Sequence, residues 1–302
     1  MIIITGASGF VGQNLVSNLK DQGIQIFKIS LRNNNWHNEI LEGGQAIIHL
    51  AGKAHDTSNV SNPEEYYEIN RNLTIDLFDR FLQSDIKDFF FFSSVKAVAD
   101  TINEKLDENV IPCPLTPYGK SKLEAEHYLL SKKLPAGKRL FIIRPCMIHG
   151  PGNKGNLNLL YKVVQWGIPW PLASFRNERS FLSVDNLCYL INEMIKSDKI
   201  SSGVYNFADD ESLSTNELVT LIADSLGKKA KLWKIPTSLI KAFVKIGDIL
   251  PLPLNSERLK KLTESYVVSN YKVKEALGIN CLPLSAKDGL KKTVLFFRYN
   301  NK

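Results

Sequence analysis

Residues 2–12, Ile-Ile-Ile-Thr-Gly-Ala-Ser-Gly-Phe-Val-Gly, constrain the fold of this chain more than any other stretch. The three isoleucines predict a short buried strand. Gly6, Gly9 and Gly12 follow at the spacing G-x-x-G-x-x-G, and Phe10, Val11, Leu15, Val16 and Leu19 then recur with a helical period. In a strand–turn–helix of this kind each glycine has a physical task. Gly6 makes the tight turn out of the strand, Gly9 leaves the backbone open to a pyrophosphate, and Gly12 lets helix and strand pack closely. The helix start offers N–H groups and a partial positive charge to phosphate. The spacing departs from the commoner G-x-G-x-x-G, so an ordinary Gly-rich β–α turn is the alternative. With a strand before it and a helix after it, the turn is expected to hold a dinucleotide through Gly6, Ser8, Gly9, Phe10, Val11 and Gly12.

The pattern continues in the same style. Ile24–Leu31 and Gln45–Ala51 read as further strands, the latter a continuous apolar run suited to a sheet buried on both faces. Pro63–Gln83 carries helical spacing through Tyr66, Ile69, Leu73, Leu77 and Leu82. Four consecutive phenylalanines, Phe89–Phe92, form a central strand. Thr116 and Pro117 make an N-cap and first-turn pair for a helix to Lys133, and Leu140–Arg144 is a strand that Pro145 ends. Strands alternating with helices predict an α/β fold with a doubly wound parallel sheet.

After Gly150-Pro151-Gly152 the texture changes. Trp166–Phe175 is rich in Trp and Pro without a period, Asp185–Lys196 is helical, Val204–Ala208 reads as a strand, and the chain from Ser212 is mostly helical. The expected division is a nucleotide-binding Rossmann part over 1–150, to which residues about 180–208 return, and a smaller mixed, mostly helical substrate lobe over 151–302, with the ligand crevice between them. The apolar run 238–254 is interrupted by Lys241, Lys245, Asp248 and two prolines and reads as an amphipathic helix, packed on the core or, alternatively, touching a membrane face.

A chain of 302 residues with 44% hydrophobic and 23% charged residues fits a globular class with a sizeable core. Its net charge of +7 is spread along the sequence, which suits an anionic nucleotide or simple solubility and gives no reason to invoke nucleic acid. Cys113, Cys146, Cys188 and Cys281 are irregularly spaced, so neither a zinc site nor a disulfide framework is signalled. The strand beginning at residue 2 leaves no room for a charged leader, no run reaches membrane-spanning length, and a cytoplasmic location is expected.

The chemistry-bearing signal is Tyr118-Gly119-Lys120-Ser121-Lys122. Tyr118 and Lys122 are four apart on a predicted helix and share a face. A phenol is a poor acid–base group at neutral pH unless a nearby cation favours the phenolate. Alone, such a pair is commonly a surface feature. Ser93-Ser94, at the end of the Phe-rich strand, places a hydroxyl at the carboxyl edge of the sheet. The order Gly-rich turn, strand-end serine, Tyr-x-x-x-Lys is far more specific than any one of its parts.

This combination resembles the extended short-chain dehydrogenase/reductases, specifically their nucleotide-sugar epimerase/dehydratase branch, over nearly the whole chain. His49-Leu50-Ala51-Gly52 is similar to the family's H-L-A-A/G loop, and Asn70 sits where a helix asparagine supports the site. Ser94, Tyr118 and Lys122 match the catalytic triad. Arg144-Pro145 and His149-Gly150-Pro151-Gly152 resemble its R-P…Y-G-P-G segment, with His149 in place of Tyr, and Arg179-Ser180-Phe181 with Val184-Asp185 resembles a later motif. The resemblance implies NAD(P)-dependent chemistry on a UDP- or dTDP-sugar. It implies cofactor contacts from Leu50, Ala51, Gly52, Asn70, Lys122 and Pro145, and it implies a possible homodimer through the helices around Asn70 and Tyr118. It places substrate near Asn153, Asn156, Leu157, Leu172 and Arg179, with Arg258 further out. For each of these, a core or solvated-loop role is the alternative.

Within that branch, a 4,6-dehydratase needs acids just after the catalytic hydroxyl. Here Val95-Lys96 follows Ser94, so dehydration is disfavoured, and Lys96 is either a substrate contact or a solvated loop lysine. An acid at the end of the second strand would take the ribose hydroxyls of NAD(H); Ser30-Leu31-Arg32 stands there instead, and Arg32 suits a 2′-phosphate. NADP(H) is therefore favoured and NAD(H) is the alternative. The expected function is C4 reduction of a UDP-4-keto-6-deoxy-N-acetylhexosamine, as in bacterial surface-polysaccharide reductases that the chain resembles. The alternatives are a UDP-hexose 4-epimerase and a non-catalytic dinucleotide sensor.

Overall fold

The computed structural model describes residues 1–33, 35–38, 43–53, 62–153, 155–249 and 255–300. Six parallel strands form the main sheet: β1 (Ile2–Thr5), β2 (Ile26–Ile29), β3 (Ala46–His49), β4 (Asp88–Phe92), β5 (Arg139–Pro145) and, from late in the chain, Gly203–Phe207. Helix α1 (Phe10–Asp21) follows β1. The segment expected to be one helix is broken into α2 (Pro63–Tyr67), a π-helical turn (Glu68–Asn72) and α3 (Leu73–Gln83). Helix α4 (Pro117–Ser131) precedes β5.

The parity of side chains along each strand explains the layering. Ile2, Ile4, Phe90, Phe92, Phe141 and Ile143 share one cluster with Leu15, Val16 and Leu19 of α1. Ile3, Phe89, Phe91, Leu140 and Ile142 lie in the opposite cluster with Leu77, Phe78 and Phe81 of α3 and with Ala125 and Leu129 of α4. Alternate phenylalanines of β4 thus fill two cores, and every residue of the strand is buried. A sheet covered on both faces demands such a continuous apolar run.

Strand order is β2-β1-β3-β4-β5, closed by the strand 203–207. Successive strands leave β1 in opposite directions, so the switch point lies between β1 and β3, where the loops after those strands open a crevice at the carboxyl edge. The two loops touch there. A Cβ on Gly6, whose φ is +69°, would lie 2.5 Å from the Ala51 backbone nitrogen.

Beyond β5 come β6 (Met147–His149), α5 (Asn156–Gln165), β7 (Arg179–Ser183), α6 (Val184–Lys196), β8 (Gly203–Phe207, the sixth strand of the main sheet) and β9 (Ser212–Leu213). β6, β7 and β9 make a small mixed sheet, in keeping with a mixed second lobe although these strands themselves were not read in the sequence: β6 is parallel and β9 antiparallel to β7. These strands are too short for a period to show. The chain ends in α7 (Thr215–Ser225), α8 (Thr237–Ile249), α9 (Ser256–Thr263), α10 (Tyr271–Leu277) and α11 (Ala286–Asn300). Leu157, Tyr161, Leu172, Phe181, Ile222, Ile240, Val244 and Leu290 help build a second core there. Prolines 251 and 253, expected as breaks, lie outside the described residues. Among the described residues no helix is long and apolar enough to cross a membrane.

Candidate active site

The Gly-rich turn is built as tightly as its residues allow. A Cβ on Gly12 would lie 2.3 Å from the Gly6 carbonyl oxygen, which fixes how closely α1 approaches the turn. Gly9 is the N-cap of α1; no side chain caps the helix and its first turn holds no acid. Its leading N–H groups therefore face the crevice without a competing anion. That fits a pyrophosphate. Ser8 is exposed, and Phe10 and Val11 are half-buried at the same edge.

The loop after β3 forms the other wall. His49 is fully buried, with Nδ1 2.7 Å from Thr5 Oγ1 and Nε2 2.9 Å from Thr74 Oγ1, joining β1, β3 and α3. Burial, with a lesser effect of the Lys122 charge, lowers its pKa from 6.5 to about 3, so it is a neutral strut. Leu50, Ala51 and Gly52 follow. Asn70 holds this loop from the π-helical turn: its Oδ1 accepts from Lys53 N at 2.8 Å, and its Nδ2 donates to Lys53 O at 3.1 Å and Ser121 Oγ at 3.2 Å. π-turns often mark functional sites, and here the turn aims Asn70 into the crevice wall. A Cβ on Gly52 would lie 3.0 Å from Asn70 Oδ1 and 3.1 Å from Lys122 Nζ.

Ser94 and Tyr118 are brought together by a close approach that the sequence did not announce. Ser94 caps a 3-10 turn (Val95–Ala97), its Oγ accepting from Lys96 N at 3.1 Å. Gly119 packs α4 onto that turn, for a Cβ there would lie 2.3 Å from the Lys96 carbonyl oxygen. The Ser94 hydroxyl is hydrogen-bonded to Tyr118. That bond favours the phenolate, as one donated by the Ser94 hydroxyl to the phenolic oxygen does. Burial pushes the Tyr118 phenol up from its ordinary value, the Ser94 hydrogen bond opposes this, and the neighbouring Tyr66 adds to the rise. The two rings meet edge-on with centroids 6.2 Å apart. The net direction is upward, with burial the largest cause, whereas a nearby ammonium and a cationic nicotinamide ring were expected to pull the phenol down.

Lys122 is buried, and its Nζ donates to the Phe92 carbonyl at 2.8 Å. Burial lowers its pKa from 10.5 to about 8, and the nearby Glu126 carboxylate opposes the fall. Glu126, one turn further along α4, is fully buried; Arg144 Nε donates to its oxygens at 3.0 and 3.1 Å, and Ser93 Oγ also bonds it. Sequence reasoning missed this carboxylate, although its i+4 spacing from Lys122 places it on the same inward face. Pro145 is buried at the end of β5.

Other expected residues are distributed more widely. Ser30 and Arg32 are exposed at the end of β2. Lys96 turns back, donating to Asp100 O at 2.7 Å with its ammonium 4.3 Å from the Tyr266 ring centroid. Asn153 is half-buried, its carbonyl accepting from Asn158 Nδ2 at 2.6 Å, and Asn156 is exposed at the start of α5. Leu157 and Leu172 are each buried in the second core, which is the packing alternative for those two side chains. Arg179 opens β7, half-buried, and burial lowers its pKa. Arg258 is exposed on α9, away from the triad's elements. Among the described residues no cluster of His, Cys, Asp and Glu is arranged to hold a metal.

The NAD dependent epimerase/dehydratase family model matches residues 2–208. A Vibrio cholerae protein named UDP-glucose 4-epimerase is 31% identical over all of this chain and 97% of its own length. An Escherichia coli O157:H7 protein named N-acetyl-alpha-D-glucosaminyl-diphospho-ditrans,octacis-undecaprenol 4-epimerase is 30% identical over 91% of this chain and 84% of its own. Among solved structures, MoeE5 in complex with UDP-glucose and NAD superposes with a TM-score of 0.78, at 20% identity, over 100% of this chain and 99% of that one; at that identity the likeness speaks for the fold. The sheet order, the glycine-tight turn and the whole-length relatives agree: the chain belongs to the NAD dependent epimerase/dehydratase family.

Proposed function

We propose that this enzyme carries out hydride chemistry at C4 of a nucleotide-linked sugar, with Tyr118 managing the proton on O4. The reading rests on one observation: Ser94, Tyr118 and Lys122 converge at the carboxyl edge of the sheet, beside the glycine turn. A bound nicotinamide dinucleotide supplies or takes the hydride. Ser94 donates to Tyr118 and orients it. Lys122 is positioned by the Phe92 carbonyl to hold a ribose hydroxyl and to place positive charge near the phenol.

The favoured direction is reduction of a UDP-4-keto-6-deoxy-N-acetylhexosamine. Burial keeps the Tyr118 phenol protonated at neutral pH, which suits a group that must donate to a developing O4 alkoxide. Val95 and Lys96 after Ser94 supply no carboxylate for proton removal at C5, which argues against dehydration. Ser30 and Arg32 at the end of β2 favour NADP(H) over NAD(H), because an acid there would repel a 2′-phosphate and Arg32 attracts one. The second reading is 4-epimerisation of a UDP-hexose or its N-acetyl form; the name of the Vibrio cholerae relative favours it, and that of the Escherichia coli relative favours epimerisation at C4 on a lipid-linked diphospho-sugar instead. Purified protein mixed with NADPH and the 4-keto sugar nucleotide separates the two. Stoichiometric loss of nicotinamide absorbance is expected for the reductase. Interconversion of C4 epimers without net cofactor loss would select the epimerase, and no turnover of any sugar nucleotide would leave a dinucleotide sensor.

A further inference from the structure

Helix α4 carries Tyr118, Lys122 and Glu126 at i, i+4 and i+8, so the three share one face. Opposite that face β4 ends, and the chain leaves it through Phe92, Ser93 and Ser94. Each of the three helix residues meets one of these. Tyr118 is hydrogen-bonded to the Ser94 hydroxyl, Lys122 Nζ donates to the Phe92 carbonyl at 2.8 Å, and the Ser93 hydroxyl donates to Glu126. The first two contacts involve the triad. The third touches no reacting group, yet a second strand is committed to it. Glu126 is fully buried, and Arg144 of β5 grips it, Nε donating to its two oxygens at 3.0 and 3.1 Å and Nη2 to one of them. The residue before Arg144 holds Ser93 as well, since Ser93 N donates to the Ile143 carbonyl at 2.8 Å. Ser93 is thus fixed by β5 through its backbone and by the Arg144–Glu126 pair through its side chain.

A buried ion pair is a poor way to stabilise a core, because desolvation of both charges offsets most of their attraction. Apolar side chains fill the same face of the sheet nearby, as Phe89, Phe91, Leu140 and Ile142 do. What the pair adds over such side chains is direction. A carboxylate held by a planar guanidinium fork presents its remaining lone pairs along fixed lines, and one of those lines ends on Ser93. Ser93 lies between Phe92 and Ser94, so its position sets both the carbonyl that receives Lys122 and the hydroxyl that meets Tyr118. We propose that Glu126, oriented by Arg144, is a positioning residue: by anchoring Ser93 it registers the exit of β4 against α4, and so aligns Ser94 with Tyr118 and Lys122 with its carbonyl. The inference rests on the catalytic reading of Ser94, Tyr118 and Lys122, and adds to it a fully buried residue that acts through its neighbours.

Ser93→Ala is the main test, because it removes the anchor and leaves the Arg144–Glu126 pair intact. With NADPH and a UDP-4-keto-6-deoxy-N-acetylhexosamine, kcat should fall at least about tenfold, since small misplacements of reacting groups are costly. The affinity for NADPH, which the glycine turn dominates, should change by less than about threefold. Glu126→Gln should act by the same route, so the double variant should be no slower than the slower single one. Where Glu126→Gln does not fold, Ser93→Ala alone decides. A merely structural anchor would lower the unfolding midpoint and leave kcat of the folded protein at the wild-type value. That result would overturn the proposal, as would losses that multiply in the double variant. A readout that needs no turnover separates this role from the catalytic reading. In protein isotope-labelled at the tyrosine ring carbon that bears the hydroxyl, the Tyr118 NMR signal is the one missing from Tyr118→Phe. Ser93→Ala should move it. An unmoved signal overturns the positioning role even where the wild type is active. A moved signal in a protein that turns over no sugar nucleotide overturns the catalytic reading alone.

Discussion

The two halves of the molecule differ in how much of each is set by contact distance. In the nucleotide half, Gly6, Gly12, Gly52 and Gly119 all stand where a Cβ would press within about 3 Å of a neighbour, in three of the four cases backbone. In the second lobe, Gly167 and Gly227 have positive φ and almost nothing near them, and α8 leaves an apolar stripe uncovered. The edge of the sheet in the first region is built by close approach, whereas the second lobe leaves apolar side chains outside its core. On the proposed reading the difference teaches where close positioning is needed: the groups that would react sit at the tightly packed sheet edge.

The largest effect that would break this contrast comes from Gly6. Gly6→Val combines a left-handed φ of +69° with a Cβ 2.5 Å from Ala51 N, and should lower unfolding free energy by about 4 kcal/mol or abolish soluble expression. Gly23→Ala, with a φ of +73° but nothing within 4 Å, should cost only about 1 kcal/mol in the same urea titration. Equal losses would mean that strain alone, and not close approach, sets the nucleotide half.

Next is the buried pair beneath the triad. Glu126→Gln leaves Arg144 charged and uncompensated and should cost about 3 kcal/mol. It should also lower the Lys122 pKa further, since the carboxylate that opposes its fall is gone. A thermal or urea unfolding curve matching wild type would remove this pair from the account.

His49 sharpens the comparison through pH. Its pKa is about 3 in the folded state against 6.5 ordinarily, so between those values the unfolded chain binds more protons. Its contribution is therefore whole above pH 6.5 and falls as pH drops. About 2 kcal/mol should be lost between pH 6.5 and 5, read as the slope of unfolding free energy. His49→Gln should flatten that slope, and an unchanged slope would assign the acid sensitivity elsewhere.

The smallest expected effect is at the cofactor's outer end. Arg32→Ala should raise the KM for NADPH by about tenfold and leave that for NADH unchanged, a loss of one charge-assisted contact. Equal effects on both would detach Arg32 from cofactor choice.

The nucleotide half was largely legible in the sequence because its signals are local. The glycine spacing, the apolar runs and the Tyr-x-x-x-Lys pair each sit within one element. What escaped was non-local. Gly119 matters because α4 meets the Lys96 carbonyl, and Glu126 matters because β5 delivers Arg144 beneath it. Neither partner is visible from the residue's own neighbourhood. The π-turn at 68–72 preserves an apolar period close to helical, so the break at Asn70 left no mark. In the second lobe, two-residue β9 and three-residue β6 are shorter than any period can report, and Leu157 and Leu172 read equally as binding or packing until their burial is seen.

The central claim is that Tyr118 serves hydride transfer at the sugar C4. It is tested most directly by following isotope from NADPH deuterated at nicotinamide C4 into a UDP-4-keto-6-deoxy-N-acetylhexosamine, with the product read by NMR. Wild-type protein should place deuterium at sugar C4, and Tyr118→Phe should do so at least about a hundredfold more slowly while binding NADPH as before. Deuterium at C4 at an undiminished rate in the variant, or a wild-type product reduced at C4 without deuterium there, would contradict the account.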